Sequence, residues 1–159
     1  MEKYVRKAKL DDALELAPKM RKLDRQEIMA SHKLSPLKAL VLPFTFDNHR
    51  TYSIIGTKEE GVIGMFGSSP SEYQKGYGVA WLLSSDQLFN HTRQFLKECP
   101  KWVNEMGEGY THLYNFIDSR NWQSLKWLQF LGFEPKEKLP YGVEQKEFIL
   151  VIKEIKKDV

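Results

Sequence analysis

The stretch that most constrains the fold is residues 121–133, N-W-Q-S-L-K-W-L-Q-F-L-G-F, close behind the apolar run Tyr114-Asn115-Phe116-Ile117. It predicts a strand, a turn through Asp118-Ser119-Arg120, and a helix stopped by Gly132. Asp118 or Ser119 is placed to cap the free N–H groups of the first turn, and Gly132 suits the left-handed position that ends a helix. Leu125, Leu128 and Leu131, with Trp127 and Phe130, form an apolar face broad enough to lie against a sheet. Phe133 then returns the chain into a strand.

Alternation of strand and helix signals continues on both sides. Tyr4-Val5-Arg6-Lys7-Ala8 predicts a first strand. Asp11 and Asp12 open a helix with Ala13, Leu14, Leu16, Ala17, Met20 and Leu23 on its inner face, kinked or split by Pro18. Ser35-Pro36 starts a short second helix through Leu42. Residues 52–56 and 61–66 are strands joined by the polar turn Thr57-Lys58-Glu59-Glu60. A loop beginning at Ser68-Ser69-Pro70-Ser71 leads to a strand over 77–83. Ser84-Ser85-Asp86 caps a long helix bearing Leu88, Phe95, Leu96, Trp102 and Met106, which Pro100 bends or restarts. Residues 148–152 close the sheet as a strand buried on both faces. The order is β-α-α-β-β-β-α-β-α-β-β in a single domain over residues 1–159. A ferredoxin-like or other α+β sandwich is the alternative arrangement.

Bulk properties narrow the function classes. Apolar residues make up 42% and charged ones 28%, a globular rather than a disordered balance. The net charge of +3 is too small to mark a nucleic-acid surface. The basic clusters, Lys3 to Arg25 and Lys153, Lys156 and Lys157, do not interleave with aromatics for base stacking. A single cysteine, Cys99, excludes an internal disulfide and fits a reducing cytoplasm. The longest apolar stretch, residues 39–46 with Pro43 inside it, is too short to span a membrane, and no signal peptide is expected. His32, His49, His91 and His112 lack metal-ligand spacing, so no metal site is expected.

The spacing of residues 121–133 resembles the last motif of the GCN5-related N-acetyltransferase (GNAT) superfamily, N-x-x-[AS]-x-x-[LFW]-Y-x-x-x-G-[FA]. Every position fits except Leu128, which stands where the family has tyrosine. The resemblance covers the whole chain through the order of its elements. It implies an α/β (α+β) fold with a mixed, mostly antiparallel central sheet and helices on both faces. It further implies an N-acetyltransferase that takes acetyl-CoA as donor and an amine as acceptor. In the family the strand before the long helix lends backbone groups to the pantetheine arm, and a glycine-containing loop wraps the pyrophosphate with free amides. Here that segment is Leu82, Leu83, Ser84, Ser85, Asp86 and Gln87, with no glycine and with a carboxylate at Asp86. Asn121 and Ser124 complete the cofactor-binding residues that the resemblance implies. The catalytic residues stay open. Leu128 cannot protonate a thiolate, which leaves Tyr114, Tyr77 or Ser124, and Glu59, Glu60 and Glu72 are the carboxylates nearest the middle strands. The resemblance also sets a discriminator: the strands at Trp81 and Tyr114 must splay apart, and a gap filled by Leu82 or Phe116 would exclude the arm.

The run from Trp81 to Leu88, with residues 114–117 and 121–133, is also similar to a narrower group, the GNAT-like internal virion protein A of T7-type bacteriophages. That group shares both departures, a Ser-Ser-Asp-Gln segment in place of the glycine loop and an apolar residue in place of the tyrosine. This likeness implies a phage protein made in the host cytoplasm, carried into the virion in one version of the reading. It would act in virion assembly or host interaction with a phage or host protein as partner. Trp81, Trp102, Trp122 and Trp127 would anchor such a partner where they are exposed.

Overall fold

A computed structural model describes residues 4–155; Lys3, Lys156 and Lys157 of the basic clusters lie outside the described residues. Seven strands form one sheet in the order β1-β2-β3-β4-β5-β7-β6. They are β1 (Val5–Lys7), β2 (Arg50–Ile55), β3 (Val62–Pro70), β4 (Tyr77–Ser84), β5 (His112–Asp118), β6 (Glu134–Tyr141) and β7 (Lys146–Glu154). Every neighbouring pair is antiparallel except β4 and β5. That parallel pair follows from the crossover helix α4 (Thr92–Gly107), which carries the chain back along the sheet. The expected mixed, mostly antiparallel architecture is the one observed.

Two apolar clusters sandwich the sheet. One joins Ile54, Ile63, Leu113 and Val151 to Phe95, Val103 and Met106 of α4 and to Trp127 of α5 (Trp122–Phe130). The other joins Ile55, Val62, Met65 and Leu83 to α1 (Leu10–Leu16), α2 (Lys22–His32) and α3 (Pro36–Val41). The strand expected to be buried on both faces is the penultimate one in the sheet. Phe148, Ile149 and Val151 of β7 are buried, and β6 covers its other edge. Pro135 and Pro140 fall on β6, at the sheet edge, where a missing N–H costs no ladder bond.

Of the two outcomes expected at Pro18 the split is observed: α1 ends at Leu16, a 3-10 turn spans Ala17–Lys19, and Met20 is extended. Other expectations are corrected. Leu14 is 57% exposed and so is not on the inner face. Strand β3 runs on through Ser68, Ser69 and Pro70, which pair with Ala80, Val79 and Gly78, so the loop begins at Ser71. The segment after β4 is a 3-10 turn over Asp86–His91 capped by Ser85, whose Oγ accepts the Gln87 N–H at 3.3 Å. The long helix therefore starts only at Thr92. It continues through Pro100, which is exposed.

At the other diagnostic segment, Asp118 organises the turn instead of capping α5. Its carboxylate accepts the Arg120 N–H at 2.9 Å and pairs with the guanidinium at 2.6 Å, while Asn121 takes the N-cap position. Gly132 has φ +96°, the left-handed value its place requires. The buried side of α5 centres on Ser124 and Trp127, with Leu128 and Leu131 half-buried beside them. That rotation carries Phe130 out to 60% exposure.

Candidate active site: a cavity through the splayed sheet

Strands β4 and β5 pair only at their N-terminal ends, Tyr77 with His112, Gly78 with Leu113 and Val79 with Tyr114. Gly78 permits the close approach, because a Cβ there would stand 2.7 Å from the Tyr110 ring and 3.0 Å from Leu113. Beyond Val79 the strands diverge, β4 staying with β3 and β5 with β7. A cavity of about 520 Å³ opens in the divergence, within the usual range of ligand sites. Leu82 and Phe116 line it without filling it. Phe116 is drawn aside by stacking on Tyr141 at 4.0 Å between ring centroids.

The cavity reaches both layers of helices. Phe95, Cys99, Val103, Trp127 and Leu128 form its wall on the α4–α5 side; Glu27, Ser31, His32, Leu34 and Phe46 form it on the α2–α3 side. Its charged walls are Glu27 and Glu72, with no Lys or Arg among the described lining residues.

Helix α2 crosses the wide end of the divergence and ties the two strand ends apart. Asp24 Oδ2 accepts the N–H of Ser84, the last residue of β4, at 2.9 Å. One turn on, Glu27 Oε1 accepts the N–H of Asp118, the last residue of β5, at 2.8 Å. Asp24 Oδ1 accepts from Arg21 Nη1 at 2.8 Å and from Asn121 Nδ2 at 3.0 Å, and Asn121 Oδ1 accepts from the same guanidinium at 3.0 Å. Arg21 also bonds Gln123 and lies 5.1 Å over the Phe89 ring. Arg21, Asp24 and Asn121 are each almost wholly buried.

Burial governs the titration here. It pushes the Glu27 carboxyl up to about 8, and the charges of Asp24 and Asp118 add to that while the Asp118 amide opposes it. Burial also raises Asp24, against the pull of Arg21 and the two amide donors. For Asp118 the burial effect is outweighed by Arg120, which holds its carboxyl below the ordinary range.

The residues singled out from the sequence divide between wall and frame. Leu82, Leu83 and Ser124 line the cavity. Ser84, Ser85, Asp86, Gln87 and Asn121 stand outside its lining; the Ser84 amide is on Asp24, the Gln87 amide is on Ser85 Oγ, and Asp86 is exposed. The Ser85 N–H bonds Ile63 O at 3.0 Å, and Asn121 is bonded on both sides of its amide. Tyr114 is on the wall with its hydroxyl 2.6 Å from Ser71 Oγ, whereas Tyr77 stacks on His112 at 4.4 Å. Glu72 reaches the rim. Glu60 belongs to the β2–β3 turn, where the Thr57 amide and His91 hold its carboxyl at about 2; Glu59, in the same turn, is exposed.

Cys99 is a buried thiol on the α4–α5 wall, its pKa raised by burial. Among the described residues no group of His, Cys, Asp and Glu is placed to share a metal ion. Of the four tryptophans only Trp122 is largely exposed, at 60%.

Sequence reasoning misses Glu27, Asp24 and Arg21, and it places Arg21 in a solvated basic cluster. The available signal is the spacing Asp24, Glu27, Ser31, a polar stripe at i, i+3 and i+7 running beside Ile28 on one helix.

Solved structures share this fold over nearly the entire chain. A GCN5-related N-acetyltransferase from Kribbella flavida superposes with TM-score 0.66 at 17% identity, covering 94% of this chain and 96% of that one. A GNAT-family acetyltransferase from Streptococcus pneumoniae gives 0.62 at 17%, covering 96% and 98%. A chain of the NatC complex bound to Gag peptide and CoA gives 0.66 at 14%, covering 98% and 100%. The fold is the GNAT fold. No protein-family model and no curated protein matches the sequence. No helix among the described residues is long and apolar enough to cross a membrane.

Proposed function

We propose that this protein is an acyltransferase of the N-acetyltransferase kind, taking an acyl thioester from the α4–α5 side of the sheet and an amine from the α2–α3 side. The observation that carries the reading is the cavity through the β4–β5 divergence, open to both layers. Its support from relatives is a fold shared with acetyltransferases, among them a complex solved with CoA.

The apolar wall of Leu82, Leu83, Ser124 and Leu128 suits an uncharged arm, and acetyl-CoA is the first donor to try. The end at Ser84 to Gln87 suits phosphates poorly, because the Ser84, Ser85 and Gln87 amides are already bonded and Asp86 adds an exposed carboxylate. A bound thioester would supply an activated acyl group: the C–N bond forms as the C–S bond breaks, and the sulfur leaves with the arm as a thiolate that takes its proton from water. Glu27 is the proton acceptor we assign for the amine, since it is the buried carboxyl on the acceptor-side wall and burial raises its pKa to about 8.

Calorimetric titration with acetyl-CoA, with CoA as control, tests the reading. Submillimolar binding, beyond about −4 kcal/mol, is expected. Neither heat nor thermal stabilisation at about millimolar ligand, with acetyl-CoA and with S-acetylpantetheine alike, would sink it.

A second reading is favoured by one observation, the Asp24 carboxylate seated on the Ser84 amide where free donors would be needed. On that reading the chain is a non-catalytic binding protein on the same scaffold. The likeness of Ser84-Ser85-Asp86-Gln87 to the phage internal virion proteins points it towards virion assembly or host interaction. Trp122 on α5 is then the first anchor to substitute. Full folding without thioester binding, together with loss of a defined phage or host partner in Trp122→Ala, would establish it.

A further inference from the structure

We propose that the acyl donor this cavity takes carries no nucleotide: a pantetheine-type thioester presented without a diphosphate, either free or on the prosthetic arm of a carrier protein. This rests on the acyltransferase reading and narrows its donor. The cavity and its polar end differ in chemistry, and the difference decides what fits each.

A diphosphate leaving water needs several N–H donors or cations aimed at it. At the end of β4 four amides already have partners. The Ser84 amide is on Asp24, the Ser85 amide is on Ile63 O, the Gln87 amide is on Ser85 Oγ, and the Leu88 amide is on Ser85 O at 3.3 Å. The buried Arg21 guanidinium holds Asp24, Asn121 and Gln123. Turning it to a phosphate would leave Asp24, 1% exposed, without its cation. Exposed Asp86 and, on the cavity wall, Glu72 add carboxylates that disfavour an anion.

The apolar walls, by contrast, accept a neutral arm without loss. Leu82, Leu128, Phe95, Val103 and Trp127 offer contact area, and Ser124 offers a hydroxyl for an amide group. A pantetheine arm is neutral along its length and carries amides at intervals. It matches the cavity where the nucleotide end does not.

The test compares three donors by calorimetry on the full chain: S-acetylpantetheine, acetyl-CoA and an acetylated carrier protein. We expect S-acetylpantetheine and acetyl-CoA to bind within about threefold of each other. Acetyl-CoA binding should also move by less than about twofold between about 50 and 500 mM NaCl, since no phosphate contact is there to be screened. An acetylated carrier binding about tenfold tighter than the free arm supports the proposal and names the carrier as source; equal binding supports it with the free thioester. Acetyl-CoA tighter than S-acetylpantetheine by about 100-fold overturns the proposal and leaves the acyltransferase reading intact. Binding by none of the three overturns both.

Discussion

The two ends of the β4–β5 wedge are built on opposite principles. At the narrow end, backbones approach directly and aromatic side chains close over them: Tyr77 stacks on His112, and Tyr110 lies against Gly78. At the wide end no backbone bond joins the strands, and two carboxylates from α2 take the amides that the divergence leaves open. Packing sets the first and charge sets the second. The narrow end should therefore respond to volume, and the wide end to charge and pH.

Replacing Arg21 with methionine is the hardest test of the wide end, because it strands Asp24 in the interior. A loss of about 3–5 kcal/mol in urea-induced unfolding near neutral pH is expected, and a loss below about 1 kcal/mol would mean the network does not hold the wedge.

Glu27→Gln comes next. The folded-state pKa of about 8 lies above the ordinary 4.5, so the folded state is favoured most at pH below the ordinary value. It loses that advantage as pH rises through about 8. The variant keeps an oxygen for the Asp118 amide but has no charge to bury. It should match the parent at about pH 5 and exceed it by a few kcal/mol at about pH 9 in pH-dependent denaturation, while losing acyl transfer. A parallel pH profile for both proteins would remove Glu27 from this account.

The narrow end is sharpened by Gly78→Ala, whose methyl would meet the Tyr110 ring at 2.7 Å. We expect a cost of about 1–3 kcal/mol, the same at every pH, in thermal unfolding. Tyr77→Leu, which removes the stacking on His112, should cost the least, about 0.5–1.5 kcal/mol. A double-mutant cycle with His112→Leu isolates that contact.

Local patterning makes most of this fold legible in the sequence. The hairpin around residues 57–60, the helix stopped by Gly132 and the doubly covered β7 all follow from periodicity and turn chemistry within short windows. Helix starts are less readable: Asp118 and Asp86 are both good caps, yet one pairs with Arg120 and the other opens a 3-10 turn. The candidate site is legible only on its apolar wall. Asp24 and Ser84 are 60 residues apart, and Glu27 and Asp118 are 91 apart. Each pair is made by tertiary packing alone. On a helix whose mean character is polar, nothing local separates a carboxylate that meets solvent from one that meets a strand end. Asn121 shows the same limit from the other direction, since its motif position is plain and its partners, on a helix a hundred residues earlier, are not.

The joint at Tyr77 to Val79 has a mechanical consequence. Strands β1 to β4 and strands β5 to β7 make two stiff plates that share one short seam, three residue pairs long. Beyond that seam the opening angle is held by α2, whose Asp24 and Glu27 each take one strand end. The depth of the site is then set by two side-chain bonds rather than by the sheet itself. Amide exchange at Ser84 and Asp118 would report how often those bonds open.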